Sequence, residues 1–271
     1  MNALTFTLKK PLQLSLNCQL LNSTHLADKS PSDIASMLLH YGNSQCRVDE
    51  IFEISGDDAQ NIFFKNSSHK LDYLGANMAS GNMVIEGDAG AYLGYNLKKG
   101  EIQCQGNTLA YAACNMVSGL LTIKGNTGDF LGGASAGLRK GMRGGTVIIK
   151  GNAGDRVGDQ MRRGLILIEG NAGDYCASRM IAGTIGVFGS VGEYACFNMK
   201  RGTLLLTKMP KLHMTIQDCG FHTLPFLSLM FKSFAQYKTK FSSIQTLRVQ
   251  RFVGDAACAG NGEILLILPT K

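Results

Sequence analysis

The chain predicts an all-β fold, a right-handed parallel β-helix: a single-stranded solenoid of about seven coils of 19 residues, with α/β N- and C-terminal caps. Three observations predict it. A Met-x-x-Gly motif recurs in register at Met78–Gly81, Leu97–Gly100, Met116–Gly119, Met142–Gly145, Met161–Gly164, Met180–Gly183 and Met199–Gly202. The step is 19 residues each time, except 26 between Gly119 and Gly145, where seven residues are inserted. Six residues after each of the first six glycines stands another: Gly87, Gly106, Gly125, Gly151, Gly170 and Gly189. Between the two glycines apolar residues alternate, which is strand periodicity. Units this short bury nothing alone and share a core only when stacked; helical repeats need roughly 33 to 47 residues.

In chain order, residues 1–50 predict an N-terminal cap, with alternation at Leu4-Phe6-Leu8 and again at Leu12-Leu14-Leu16. A helix start at Ser32-Asp33 predicts a helix running to about His40. Residues 51–208 predict the coils, the first enlarged by an insertion around Phe63 to Lys70. Stacking makes two apolar columns: Met83, Ile102, Leu121, Val147, Ile166, Ile185, Leu204, and Ile85, Cys104, Ile123, Ile149, Ile168, Val187, Leu206. Glu86, Gln105, Lys124, Lys150 and Glu169 share one variable, outward site, where substitution is expected to cost little. The flanking glycines predict sharp turns at positive φ, and Asn107, Asn126, Asn152 and Asn171 suit a turn or a side-chain ladder. Residues 209–271 predict a C-terminal cap with a helix over Leu224 to Tyr237 and a final strand over Ile264 to Leu268. Open solenoid ends expose strand edges that need covering, so the three segments read as one structural domain.

Composition excludes several function classes. No apolar run approaches the roughly 20 residues of a membrane span, and no signal-peptide stretch opens the chain; a cytoplasmic location is expected. The eight cysteines show no CxxC, so buried reduced thiols are expected. Cys219-x-x-His222 is half a metal site at most. The net charge of +7 gathers beside the Met-x-x-Gly motif at Lys98, Lys99, Arg143, Arg162, Arg163, Lys200 and Arg201, with Arg139 and Lys140 of the insertion. Stacking places these near one edge, a candidate docking ridge for an acidic surface or a polyanion, or a solvated edge that blocks end-on association. Aromatic residues are absent from the ridge and no nucleic-acid module is legible, so nucleic acid is not expected as a partner.

Catalytic, cofactor-binding and metal-ligating constellations are not expected in this chain. Gly151-Asn-Ala-Gly-Asp155 lacks the Gly-Lys-Ser/Thr of a P-loop. The repeated acids stack in register rather than forming an isolated pair for glycoside cleavage; an enzyme using Asp155 or Asp174 stays open as an alternative. The five histidines lie outside the regular coils. Methionines at a constant inward site read as core filler.

The pattern Gly-x-x-Met-x-x-Gly-x-Leu/Ile-x-Ile/Val-x-Gly resembles that of the C subunit of formylmethanofuran dehydrogenase and of the related bacterial formyltransferase/hydrolase complex. It runs from Gly75 through Met78 and Gly81 to Gly87, then from Gly94 through Gly100 to Gly106. Ala113, Arg139, Ala177 and Cys196 stand in place of the opening Gly, Leu97 in place of Met, and Lys208 in place of the closing Gly. Gly220-Phe-His-Thr-Leu-Pro225 and Arg251-Phe-Val-Gly-Asp255 in the C-terminal segment also resemble the family. The coil alone is less specific, because glutamate synthase uses a similar β-helix. The resemblance implies a non-catalytic structural subunit. In the bacterial complex a formyl group passes from tetrahydromethanopterin to a methanofuran-type carrier and is released as formate. The implied partners are the A (amidohydrolase-like), B and D (formyltransferase) subunits, which hold the carrier, the pterin and the metal, with no cofactor in this chain. The archaeal dehydrogenase, which reduces CO2, is the other reading the resemblance allows. The ordinary charged fraction of 17% and the abundant Ser, Asn, Gln and Met fit a mesophile and favour the bacterial one. A polyglutamate tail on the carrier is implied as a second polyanion for the ridge.

Overall fold

The computed structural model describes residues 2–268. Before the Met-x-x-Gly units the chain forms β1 (Ala3–Leu8), β2 (Leu16–Asn17), α1 (Ser23–Leu26), α2 (Pro31–Ser36), β3 (Leu38–Tyr41), β4 (Ser44–Arg47), α3 (Val48–Ile51), β5 (Phe52–Ser55), β6 (Asp58–Ser67) and β7 (Leu71–Asp72). The strands of the 19-residue units are β8 (Asn82–Gly87), β9 (Glu101–Cys104), β10 (Leu120–Ile123), β11 (Arg143–Ile149), β12 (Arg163–Ile168), β13 (Thr184–Val187) and β14 (Arg201–Leu206). The chain continues with β15 (Gln217–Thr223), α4 (Phe226–Ala235), β16 (Arg248–Gly254) and β17 (Asn261–Ile267).

A 13-stranded sheet runs β15-β16-β17-β14-β13-β12-β11-β10-β9-β8-β6-β1-β5, and β4-β3-β2-β7 form a second sheet. From β1 to β14, and on to β17, every pairing in the large sheet is parallel; antiparallel pairs occur only at its two ends. Isolated parallel bridges through Ala89, Thr108, Thr127, Ala153, Ala172 and Val191 tie the other side of successive units together. The two sequence columns meet in register, as in Leu121↔Val147 and Ile123↔Ile149, and are 0–1% exposed throughout. One core cluster extends from Leu4 to Leu266.

The repeat motif is explained by contacts between units. Gly100 and Gly119 hold φ of 103° and 88°, and an added Cβ would stand 2.4 and 2.5 Å from the carbonyl oxygen of the preceding unit's glycine. The methyls of Met78, Met116, Met142, Met161 and Met180 fill the space beside the next unit's glycine; Met142 Cε would stand 2.7 Å from a Cβ at Gly164. Gly87 has the expected positive φ, 114°, but the later second glycines have a different cause from the turn expected of them. Gly106, Gly125, Gly151, Gly170 and Gly189 do not have positive φ; instead, a Cβ there would lie 2.3–2.6 Å from the side-chain oxygen of Asp88, Asn107, Asn126, Asn152 or Asn171. Those asparagines form the expected ladder, each accepting the next unit's backbone N–H: Asn126 N donates to Asn107 Oδ1 at 2.8 Å and Asn171 N to Asn152 Oδ1 at 2.8 Å.

Four sequence expectations need correction. The helix expected from Ser32-Asp33 is α2, which spans only Pro31–Ser36, capped by Ser30 and Asp33, and His40 lies on β3. The short strand β2 replaces the second alternating stretch, and Leu14 is 50% exposed. Phe63 to Ser67 are not a looped insertion but part of β6, which sets Ile62 and Phe64 beside Met83 and Ile85. Arg139 does not occupy the opening-glycine position. Gly132 does, donating to Ala112 O as Ala113 donates to Leu93 O, so the extra residues leave the stack after it.

The outward face is also not uniformly wet. Ile148, Leu167 and Leu205 are 0–1% exposed beneath α4, in a second core with Leu227, Phe231, Phe234, Phe241 and Leu265. Gly186 sits under the Phe241 ring, which a Cβ would approach to 3.0 Å. Glu169 binds Lys150 at 2.6 Å and accepts from Lys240 N at 3.2 Å, joining the stack to the segment that follows α4. The variable site is therefore partly a seam, contrary to expectation.

Candidate docking surface

All nine cations of the expected ridge are exposed, but they do not form one line. The residues after Gly133 project as a loop held at both ends: Asn115 Nδ2 donates to Ser135 Oγ at 2.9 Å and Gly141 N to Gln160 O at 2.9 Å. The loop divides the face into two clefts that share Arg139. One, of about 420 Å³, is lined by Tyr95, Asn96, Asn115, Leu138, Lys140 and Arg143 besides Arg139. The other, of about 350 Å³, is lined by Gln160, Arg162, Arg179, Ile181, Asn198 and Lys200 besides Arg139. Arg201 faces a third cleft with Arg251 and Glu263, and Lys99 a fourth with Ser80, Asn82 and Glu101. Arg163 is the Cα partner of Arg143 across β11 and β12. Lys98 adds a further exposed charge.

Two side chains in this region were missed by sequence reasoning. Arg179 donates through Nε and Nη2 to both carboxylate oxygens of Asp159, at 2.8 and 2.5 Å, and Asp159 is 2% exposed. Ser178 Oγ donates to the same carboxylate at 3.2 Å. The bond to Asp159 raises the Arg179 guanidinium above its ordinary value. The signal was present in the register: the position before the repeat's Met/Leu reads Asn77, Asn96, Asn115, Gln160, Arg179 and Asn198, polar in each of these units. A surface column was missed as well. Tyr73, Tyr92, Tyr111 and Phe130 stack at 4.6, 4.9 and 4.8 Å, Arg156 lies 4.6 Å from the Tyr175 ring, and Tyr194 follows at 5.0 Å.

The acids considered for catalysis act within the stack. Asp129, Asp155 and Asp174 each accept the backbone N–H of the next unit's acid, at 2.8, 2.8 and 2.7 Å. At the end of the Arg179 column, Asp255 replaces the next unit's carbonyl: Asn198 N donates to Asp255 Oδ2 at 2.9 Å and Ala257 N to Oδ1 at 2.9 Å. Burial pushes this carboxyl up, but hydrogen bonds from Thr215, Asn198 and Ala257, with His213 nearby, outweigh it and hold the group below the ordinary value. Burial pushes the Cys104 thiol up to about 11 and those of Cys114 and Cys176 up to about 12, which keeps them protonated near neutral pH. His222 Nε2 contacts Cys219 O at 3.0 Å. Among the described residues no group of three or more His, Cys, Asp or Glu side chains could hold a metal ion. No helix among them is long and apolar enough to cross a membrane.

The class defined by this fold and surface is a mostly β protein of parallel in-register units with a cleft-bearing basic face. No family model matches the chain. The C subunit of the tungsten-containing formylmethanofuran dehydrogenase 2 of Methanocaldococcus jannaschii is 42% identical over 52 residues, 18% of this chain and 19% of that relative. Its counterpart from Methanococcus maripaludis is 30% identical over 92 residues, 33% of this chain and 34% of that relative. These matches therefore span about a fifth and a third of the curated relatives. A chain of the formyltransferase/hydrolase complex (FhcABCD) from Methylorubrum extorquens, crystallised with methylofuran, superposes with a TM-score of 0.92 at 32% identity, covering 98% of this chain and all of that one. The chain belongs to the formylmethanofuran dehydrogenase C-subunit family.

Proposed function

We propose that this chain is the non-catalytic structural subunit of a formyltransferase/hydrolase complex that moves a formyl group from tetrahydromethanopterin to a methanofuran-type carrier and releases formate. The observation that carries this reading is the 32% identity, sustained over 98% of the chain, to a chain of the FhcABCD complex. The archaeal dehydrogenase reading is favoured by the 42% identical stretch, but that stretch covers only 19% of the relative. The catalytic metal, carrier and pterin belong to partners in this reading: the amidohydrolase-like A subunit, the B subunit and the formyltransferase D subunit. The complex works in the cytoplasm.

The architecture proposed for that role is one right-handed parallel β-helix with capped ends, acting as a single domain. Support comes from the parallel register kept from β6 to β14 and from the right-handedness of nearly all parallel crossovers. Such a rod offers partners a long, rigid face, and the exposed cations supply electrostatic complementarity to acidic subunits.

Co-expression with and without this chain tests the proposal. The complex is expected to lose assembly and formate release without it, while the purified chain alone turns over no formyl donor. Full activity from A, B and D in its absence would refute the role.

A further inference from the structure

Two adjoining units of the basic face each depart from the pattern once, and the two departures touch. The position two before the repeat's Met/Leu reads Tyr95, Cys114, Asp159, Ser178 and Phe197, and Gly133 takes it in the unit with the loop. Only Asp159 is charged there. In the adjoining column only Arg179 is charged. The other units stack without such a pair, so stacking does not require it. Burying a carboxylate is costly unless it is paired, and Asp159 is 2% exposed. Its return is geometric: it commits two of the five guanidinium N–H donors and leaves the rest of a fixed fork at a cleft that also holds Arg139, Arg162 and Lys200. None of those three has a carboxylate within 4.0 Å among the described residues.

We infer that this cleft recognises the carboxylates of an acidic peptide segment of a partner polypeptide, with Arg179 as the oriented fork and Arg139, Arg162 and Lys200 as surrounding charges. A planar guanidinium fork matches carboxylate geometry better than an ammonium does. Arg162 and Lys200 lie two units apart, about 10 Å at a strand spacing of about 4.8 Å, more than one small anion bridges. A chain bearing several carboxylates spans it. The neighbouring cleft, sharing Arg139, extends the same surface. The origin of the segment in a partner subunit rests on the function proposed above; the chemistry of the cleft does not.

Fluorescence anisotropy of a labelled Asp/Glu-rich decapeptide with the full chain tests this. Saturable 1:1 binding that weakens with salt is expected, with Arg179→Lys weakening it about tenfold although the charge is kept. Asp159→Asn is expected to weaken it as well, because the fork is released, whereas a simple charge effect would tighten binding by removing a negative group. Thermal unfolding checks both variants, and Arg179→Lys keeps an ion pair with Asp159 should Asp159→Asn fold poorly. Unchanged binding by Arg179→Lys, tighter binding by Asp159→Asn, or binding of inorganic triphosphate but not peptide would each overturn the inference. Co-purification with A, B and D but no peptide binding would remove the cleft and leave the subunit reading. Peptide binding without co-purification would do the reverse.

Discussion

At the residue scale, the repeat motif is a contact between units rather than a property of one turn. Gly119 needs both positive φ and the absence of a side chain, because Gly100 O would lie 2.5 Å from its Cβ. A Cβ at Gly137, on the exposed loop at φ 81°, would meet nothing within 4 Å among the described residues. Urea unfolding should therefore separate them: Gly119→Ala is expected to cost about 2–5 kcal/mol from conformation and overpacking together, and Gly137→Ala about 1–2 kcal/mol from conformation alone. Asp255 predicts a pH dependence. Its folded pKa lies below the ordinary carboxylate value, so its stabilisation is present above the unfolded pKa and is lost as pH falls through the folded one. Wild type and Asp255→Asn should differ most near neutral pH and converge in acid. A constant gap across the titration would show that the carboxylate charge is not what closes this end.

At the scale of elements, the strands divide into an enclosed column and a face covered only in part. Ile149→Ala and Ile168→Ala, both 0% exposed, are expected to cost about 2–5 kcal/mol. Glu169 belongs to the opposite face, yet it holds Lys150 and the Lys240 backbone. Its replacement by Ala is expected to cost about 1–3 kcal/mol, whereas Lys124→Ala, at an exposed member of the same site, should stay within about 0.5 kcal/mol. Chemical denaturation of the four variants checks the ordering. Equal losses at Glu169 and Lys124 would mean that the seam adds nothing.

For the whole molecule, the prediction concerns assembly. Arg162→Glu with Lys200→Glu reverses two exposed charges of one cleft without touching the core. Native mass spectrometry should find the proposed complex dissociating at lower salt than wild type, with the chain's own melting temperature nearly unchanged. Unaltered salt resistance would leave the basic face as a solvated edge.

The sequence by itself determined the period, the strand positions and the identity of both apolar columns, because an in-register stack repeats one local environment and so writes it into every unit. Met78 through Met199 and their glycines are legible for that reason. The flanking segments were partly legible: β1 followed from its alternation, but α2 ended early, since Leu38–Tyr41 pair with β4 rather than continue a helix. Other features were decided only by tertiary structure, where residues distant in the chain share one space. Gly186 is small because of Phe241, Glu169 is held by Lys240, and Arg139 reaches a cleft with Lys200 once the loop folds over the face. Periodicity reports what a unit shares with its neighbours; it is silent on a single buried carboxylate that orients a single arginine, and that difference depends on three-dimensional contact.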